Sequence, residues 1–160
     1  MRNEIKIGLG YDVHRFARGR KLMLGGIRIN HKMGLLGHSD ADALLHAVSD
    51  AVLGALGLPD IGIHFPDSDP AFKDISSAIM LKKVMKLAAA AKMGVVNADC
   101  TVIAQSPKIS PYRKKIIRSI SSLLGTKRVN VKATTNEGLG FIGGNKGIAC
   151  ICAVLLIKRD

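Results

Sequence analysis

Near the amino terminus Ile5, Ile7 and Leu9 alternate with polar or small residues, the two-residue period of a strand. Residues 21–24 and 27–29 then flank Gly25-Gly26, a pair that tolerates positive φ at both positions and so predicts a hairpin turn. Leu44, Leu45, Val48, Val52 and Leu56 recur at helical spacing, with Ser39 or Asp40 as the cap and Gly57 and Pro59 marking the end. A polar loop over 60–69 follows. Residues 75–93 read as a second helix closed by Gly94, 95–105 as a strand, and Ser110-Pro111 as the start of a basic helix closed by Gly125. Residues 129–134 predict another strand and 136–147 a glycine-rich loop. Residues 148–157 are apolar on both alternating sets, the pattern of a central strand buried on both faces. The order predicts an α+β fold, one domain over 1–160: a two-layer sandwich with helices on one face of the sheet.

Composition sharpens this in three places. With 48% hydrophobic and 22% charged residues in 160, the chain carries enough apolar surface for a core and is not a disordered segment. The longest apolar run, 148–157, is far short of the ~20 residues a membrane helix needs, and residues 1–6 alternate charge with Ile instead of forming an apolar signal core. A cytoplasmic protein without membrane association is expected. The net charge of +12 would suit a nucleic-acid partner, yet it is unevenly spread. Residues 33–72 hold no Lys or Arg but six Asp, whereas residues 82–160 hold fifteen Lys or Arg against Asp99, Glu137 and Asp160. An acidic, cation-attracting segment beside a phosphate-attracting remainder suits a metal and a phosphorylated ligand. Aromatic residues at 4% with no Trp leave few platforms for stacking single-stranded bases, which counts against a nucleic-acid module.

Cys100, Cys150 and Cys152 are an odd number without a C-x-x-C pair, unsuited to a disulfide framework or a zinc knuckle. Buried reduced thiols are expected. Cys150 and Cys152 share a strand face, which leaves a soft-metal reading open.

Asp12 and His14 lie two apart near the end of the first strand and project to one side, so both can reach one ion, and His46 on the following helix can complete three ligands. An Asp and two His with a fourth position open is a catalytic zinc arrangement. Each residue also has an ordinary surface or core reading. Residues 37–42 sit where a helix amino terminus would favour phosphate, or would simply be capped. Asp67, Ser68, Asp69 and Pro70 can be plain turn chemistry. No Walker A or dinucleotide fingerprint occurs, so ATP hydrolysis and dinucleotide binding are disfavoured.

Taken together and in order, the segments 10–16, 34–42, His46, 60–62, 65–70, 104–108 and 131–137 with 139–141 resemble the 2-C-methyl-D-erythritol 2,4-cyclodiphosphate synthase family over nearly the whole chain. The resemblance implies a homotrimeric enzyme with a mixed sheet. It would convert 4-diphosphocytidyl-2-C-methyl-D-erythritol 2-phosphate to the cyclic diphosphate and release CMP, its sites lying between adjacent subunits. On the same ground Asp12, His14 and His46 are the expected zinc ligands, and Glu137 the ligand of a second divalent ion, Mg2+ or Mn2+. His38 and Ser39 would contact the diphosphate, and Asp60, Ile61 and Gly62 the ribose. Phe65, Pro66, Asp67, Ser68 and Asp69 would face the erythritol phosphate. Ala104, Gln105, Ser106, Pro107, Lys108, Ile109 and Ser110 with Ala133, Thr134 and Thr135 would form the cytosine pocket, with Asn136 and Phe141 beside it. His38 and Thr135 would add hydrogen bonds in the transition state. A metal-dependent cytidine-nucleotide phosphohydrolase would share such a site.

The chain departs from the family pattern at Gly138, where many members have Lys, and at 143–147, where they have Gly-Arg-Gly-Glu-Gly. An isoprenoid-diphosphate site that the Arg would help build in the trimer's central cavity is therefore expected to be weakened here.

Overall fold

The computed structural model describes residues 4–159; the first three residues of the charged amino-terminal stretch, and Asp160, lie outside the described residues. Strand β1 (Ile5–Ala17) is longer than the alternation alone predicted. Strands β2 (Leu22–Leu24) and β3 (Ile27–Ile29) form the expected hairpin, and Gly25 and Gly26 at its turn take φ of 63° and 75°. The short strand β4 (Gly34–Leu35), helix α1 (Ala43–Leu56) and short helix α2 (Ile61–His64) precede helix α3 (Ser77–Ala90). Strand β5 (Met93–Ile103), helix α4 (Arg113–Leu124), strand β6 (Val129–Thr134), short helix α5 (Gly140–Gly143) and strand β7 (Gly147–Lys158) complete the chain.

The main sheet runs β4-β1-β7-β5-β6 and is mixed: β5 and β6 are parallel, the other neighbours antiparallel. Helices α1, α3 and α4 pack side by side over one face, burying Leu44, Leu45, Leu53, Leu81, Ile116 and Ile120 against β5, β6 and β7. No helix among the described residues is long and apolar enough to cross a membrane.

Several sequence expectations are corrected. Helix α1 is capped by Asp42, not by Ser39 or Asp40: the Asp42 carboxylate accepts the Leu45 N–H at 3.0 Å and, at 2.8 and 2.6 Å, the turn N–H groups of Gly25 and Gly26. The first-turn N–H of Leu45 is thus taken by a side chain, and His38 and Ser39 lie upstream of the helix end. Helix α3 starts at Ser77, after a cap by Ser76, and stops before Met93, because Met93 and Gly94 already pair with Lys158 and Ile157. The left-handed residue there is Lys92 (φ 55°), not Gly94. Pro111 lies in a 3-10 turn over Ser110–Tyr112 that precedes α4. The predicted loops at 60–69 and 136–147 each contain a helical turn.

Strand β7 is central in sheet order, yet only one of its faces is covered along its length within the chain: Cys150, Cys152, Val154 and Leu156 are buried under the helices, while on the other face Ala149 is buried but Ile151 and Ala153 are exposed. In β1 the apolar set points the same open way. Ile7 and Leu9 are 74% and 70% exposed, and it is Gly8 and Gly10 that face α1.

The three cysteines are buried free thiols, as expected, and burial pushes the Cys150 thiol well up. Cys100 and Cys152 face each other across β5 and β7 with sulfurs 3.3 Å apart.

Candidate metal centre and nucleotide pocket

Gly8 and Gly10 let α1 lie on the backbone of β1, and this contact makes the candidate metal centre. A Cβ at Gly10 would sit 1.9 Å from the Ala47 carbonyl oxygen, so only glycine admits the helix at that depth. One residue before Ala47, His46 then faces Asp12, which is two residues after Gly10 on the same strand face. His46 Nδ1 and His14 Nε2 each lie 2.9 Å from Asp12 Oδ2, and 3.3 Å from each other. Among the described residues this is the group of three or more such side chains that could hold a metal ion, and it includes no cysteine.

The donor set fits such an ion. His14 Nδ1 lies 2.6 Å from the Leu36 carbonyl, which can only accept, so that nitrogen carries the proton and Nε2 presents its lone pair. His46 Nε2 faces the hydroxyls of Ser77 at 2.9 Å and Ser39 at 3.2 Å, leaving Nδ1 for the centre. Ligand atoms about 2.1 Å from a tetrahedral ion stand about 3.4 Å apart, close to the spacings seen here. Burial works against a charged Asp12, but hydrogen bonds and charge from His14 and His46 outweigh it and hold the carboxyl well below the usual carboxylate range. For His14, burial favours the neutral ring; the bond to Asp12 overrides it and raises the imidazole.

Beside the centre opens a cleft lined by His14, His38, Ser39, His46, Phe65 and Asp67, with Ile61 and Gly62 at its edge. Gly37, from the 37–42 segment, also lines it, as do Phe72, Ile75 and Met80, which sequence reasoning missed. Ile75 and Met80 bear no local signal beyond the α3 region, and Phe72 meets Phe65 edge-on at 5.3 Å. Asp60 caps α2 by accepting from Gly62 and Ile63, and Asp69 accepts from Ala71, so both serve the turns that present the cleft wall. Asp50 reaches across from α1 to accept the Ile61 N–H at 2.7 Å; its burial raises the carboxyl. Pro66 and Ser68 stand in the same loop without lining the cleft.

A second depression is built where β5 and β6 end. Ala104, Gln105, Pro107, Lys108, Ile109 and Ser110 line one side of it, and Ala133, Thr134 and Thr135 the other. Ser106 lies in this loop but not on the wall. The parallel pairing of Ile103 with Thr134, and the Ala104 N–H bond to the Thr134 carbonyl at 3.0 Å, hold the two segments together. Beyond it Thr135 Oγ1 donates to Glu137 Oε1 at 2.6 Å; Glu137 is exposed at a left-handed φ of 50°, and Phe141 is exposed on α5. The two depressions share no lining residue. Strands β7 and β5 stand between β1 and β6, which sets those strands about 14 Å apart.

A family model, the YgbB family, matches residues 5–157. The 2-C-methyl-D-erythritol 2,4-cyclodiphosphate synthase of Bacillus mycoides is 53% identical over 156 residues, covering 96% of this chain and 99% of that protein. Among solved structures, IspF of Plasmodium falciparum in complex with CDP superposes with a TM-score of 0.86 at 41% identity, covering all of both chains. The bifunctional IspDF of Campylobacter jejuni gives 0.95 at 42% identity, covering 99% of this chain and 44% of that one. An Asp-His-His centre set under a cleft, carried on a fold and sequence shared with these enzymes from end to end, is the mark of common descent: this chain belongs to the YgbB family, that of the 2-C-methyl-D-erythritol 2,4-cyclodiphosphate synthases.

Proposed function

We propose that this chain closes 4-diphosphocytidyl-2-C-methyl-D-erythritol 2-phosphate into 2-C-methyl-D-erythritol 2,4-cyclodiphosphate, releasing CMP, in the non-mevalonate route to isoprenoid precursors. The observation that carries the reading is the convergence of Asp12, His14 and His46 beneath a cleft walled by His38 and Ser39. An oxygen of the 2-phosphate bonds to the β-phosphorus, the bond from that phosphorus to the bridging oxygen breaks, and the electron pair leaves on CMP. A phosphate is already a competent nucleophile, so positioning and charge neutralisation matter more than a general base. When bound, zinc at Asp12, His14 and His46 and magnesium or manganese at Glu137 supply that neutralisation.

The residues of the chain do the rest. His38 and Ser39 present hydrogen-bond donors to the diphosphate from the cleft wall. Asp60 and Gly62 hold the ribose, and the 65–69 loop with its Phe65 wall takes the erythritol phosphate. The 104–110 loop and residues 133–135 form a depression whose backbone groups can read the cytosine edge, and Thr135 adds a hydrogen bond to the phosphates.

The chain acts as a homotrimer, its metal side and nucleotide side supplied by neighbouring subunits. Ile5, Ile7, Leu9 and Tyr11 on β1 lie exposed beside Ile151 on the open sheet face, an apolar patch of the kind that marks a protein interface. Three copies packed through these faces would cover it. Incubation of the purified protein with the diphosphocytidyl substrate and Mg2+ is expected to give the phosphorus NMR signals of a cyclic diphosphate together with CMP. Release of inorganic phosphate instead would make the chain a phosphohydrolase.

A further inference from the structure

We infer that Asp40, acting through the Ser77 hydroxyl, fixes the proton of His46 on Nε2 and thereby presents its Nδ1 to the metal. The inference rests on the metal-centre reading above.

Ser77 is the first residue of α3 and is fully buried, as is most of His46. Its hydroxyl donates to Asp40 Oδ1, and its own N–H reaches Asp40 Oδ2 at 3.1 Å. Asp40 Oδ1 also accepts the Asp42 N–H at 3.3 Å, so backbone bonds at both oxygens keep the carboxylate from turning away. A hydroxyl has one proton, and here a carboxylate holds it. Toward His46 Nε2, 2.9 Å away, Ser77 Oγ can therefore only accept. That nitrogen must carry hydrogen, and Nδ1 is left with the lone pair an ion needs. Carboxylate, hydroxyl and imidazole form one line of polarity, each member setting the next.

The same logic frees Ser39. Its Oγ accepts the Ala41 N–H at 3.1 Å and stands 3.2 Å from His46 Nε2. With that N–H already satisfied by the closer Ser77, the Ser39 hydroxyl can aim its proton into the cleft it lines. Asp40 and Ser77 touch neither substrate nor ion; they are positioning residues.

The test measures zinc affinity by competition with a chromophoric chelator, for the wild type, Ser77→Ala, Ser77→Thr, Asp40→Asn and the double variant Asp40→Asn/Ser77→Ala. Melting temperature of the metal-free proteins checks folding. Loss of an orienting partner typically weakens metal binding about 10- to 100-fold, and Ser77→Ala is expected to fall in that range while Ser77→Thr restores most of it. Asp40→Asn is expected to weaken zinc in the wild-type background but to add little to Ser77→Ala, because it acts through that hydroxyl. Wild-type affinity in Ser77→Ala, or an Asp40→Asn effect equally large without Ser77, overturns the inference. Should Ser77→Ala not fold, the His46 Nε2 proton in nitrogen-15 NMR of the zinc-loaded wild type decides: protection from solvent exchange supports the inference, and rapid exchange overturns it. Wild-type protein that binds no zinc would instead overturn the metal-centre reading, which separates the two failures.

Discussion

Gly10 and Ala47 are in direct backbone contact: a Cβ on the strand residue would lie 1.9 Å from the carbonyl oxygen of the helix residue. Gly8 repeats the contact one turn along, against Ala51. Gly10→Ala is therefore expected to push α1 off β1 and cost more than about 3 kcal/mol, with loss of the metal centre. Gly54, inside α1, has nothing closer than 3.8 Å, so Gly54→Ala should raise stability by about 0.5–1 kcal/mol through helix propensity. Thermal melts of the two variants check the contrast; equal effects would show that close approach is not the constraint.

His46→Ala removes one of three ligands and leaves Asp12 and His14 too few for tight binding. Bound zinc and turnover should both drop to near zero, while the melting temperature of the metal-free protein changes little. Zinc retained near one per subunit would show that the ligand set is wrong.

Asp42 is fully buried and accepts three backbone N–H groups, two from the hairpin turn and one from α1. Burial pushes its carboxyl up. Asp42→Ala leaves those donors without a partner and is expected to cost roughly 3 kcal/mol, read from the denaturation midpoint. A loss below about 1 kcal/mol would mean that water or a shifted turn satisfies them.

Glu137 stands outside the Asp12-His14-His46 group, hydrogen-bonded to Thr135. In Glu137→Gln the zinc content should hold while the magnesium concentration for half-maximal rate rises. An unchanged magnesium titration removes Glu137 from the second metal site.

Because the cleft beside Asp12, His14 and His46 and the depression proposed for the nucleotide share no lining residue, each half can be disabled separately. His46→Ala, and a second variant combining Thr135→Ala with a disrupted 106–108 loop, should each form inactive trimers. Refolded together in equal amounts they should regain activity, since about a quarter of the interfaces pair two intact halves. Mixed trimers no more active than the separate parents would place each site within one subunit.

Helix α1, the Gly25-Gly26 hairpin and the strand at 129–134 were legible in the sequence because local terms decide them: apolar spacing, turn glycines and β-branched residues leave no near competitor. The spacing of Asp12, His14 and His46 allowed a shared ion but also an ordinary surface or core reading, and it was the resemblance to the family that singled them out. What only the tertiary structure decided is which partner each group takes. Asp40 does not cap α1 because Ser77, thirty-seven positions later, claims its carboxylate. Asp42 caps α1 because the hairpin turn arrives to share it. Met93 and Gly94 leave the helical pattern for pairing with β7. The apolar residues of β1 face away from the helices, because alternation records that one strand face differs from the other and not which of them the helices cover. There the deciding term is steric: only the glycine face of β1 lets the backbone of α1 come close enough to set His46 against Asp12.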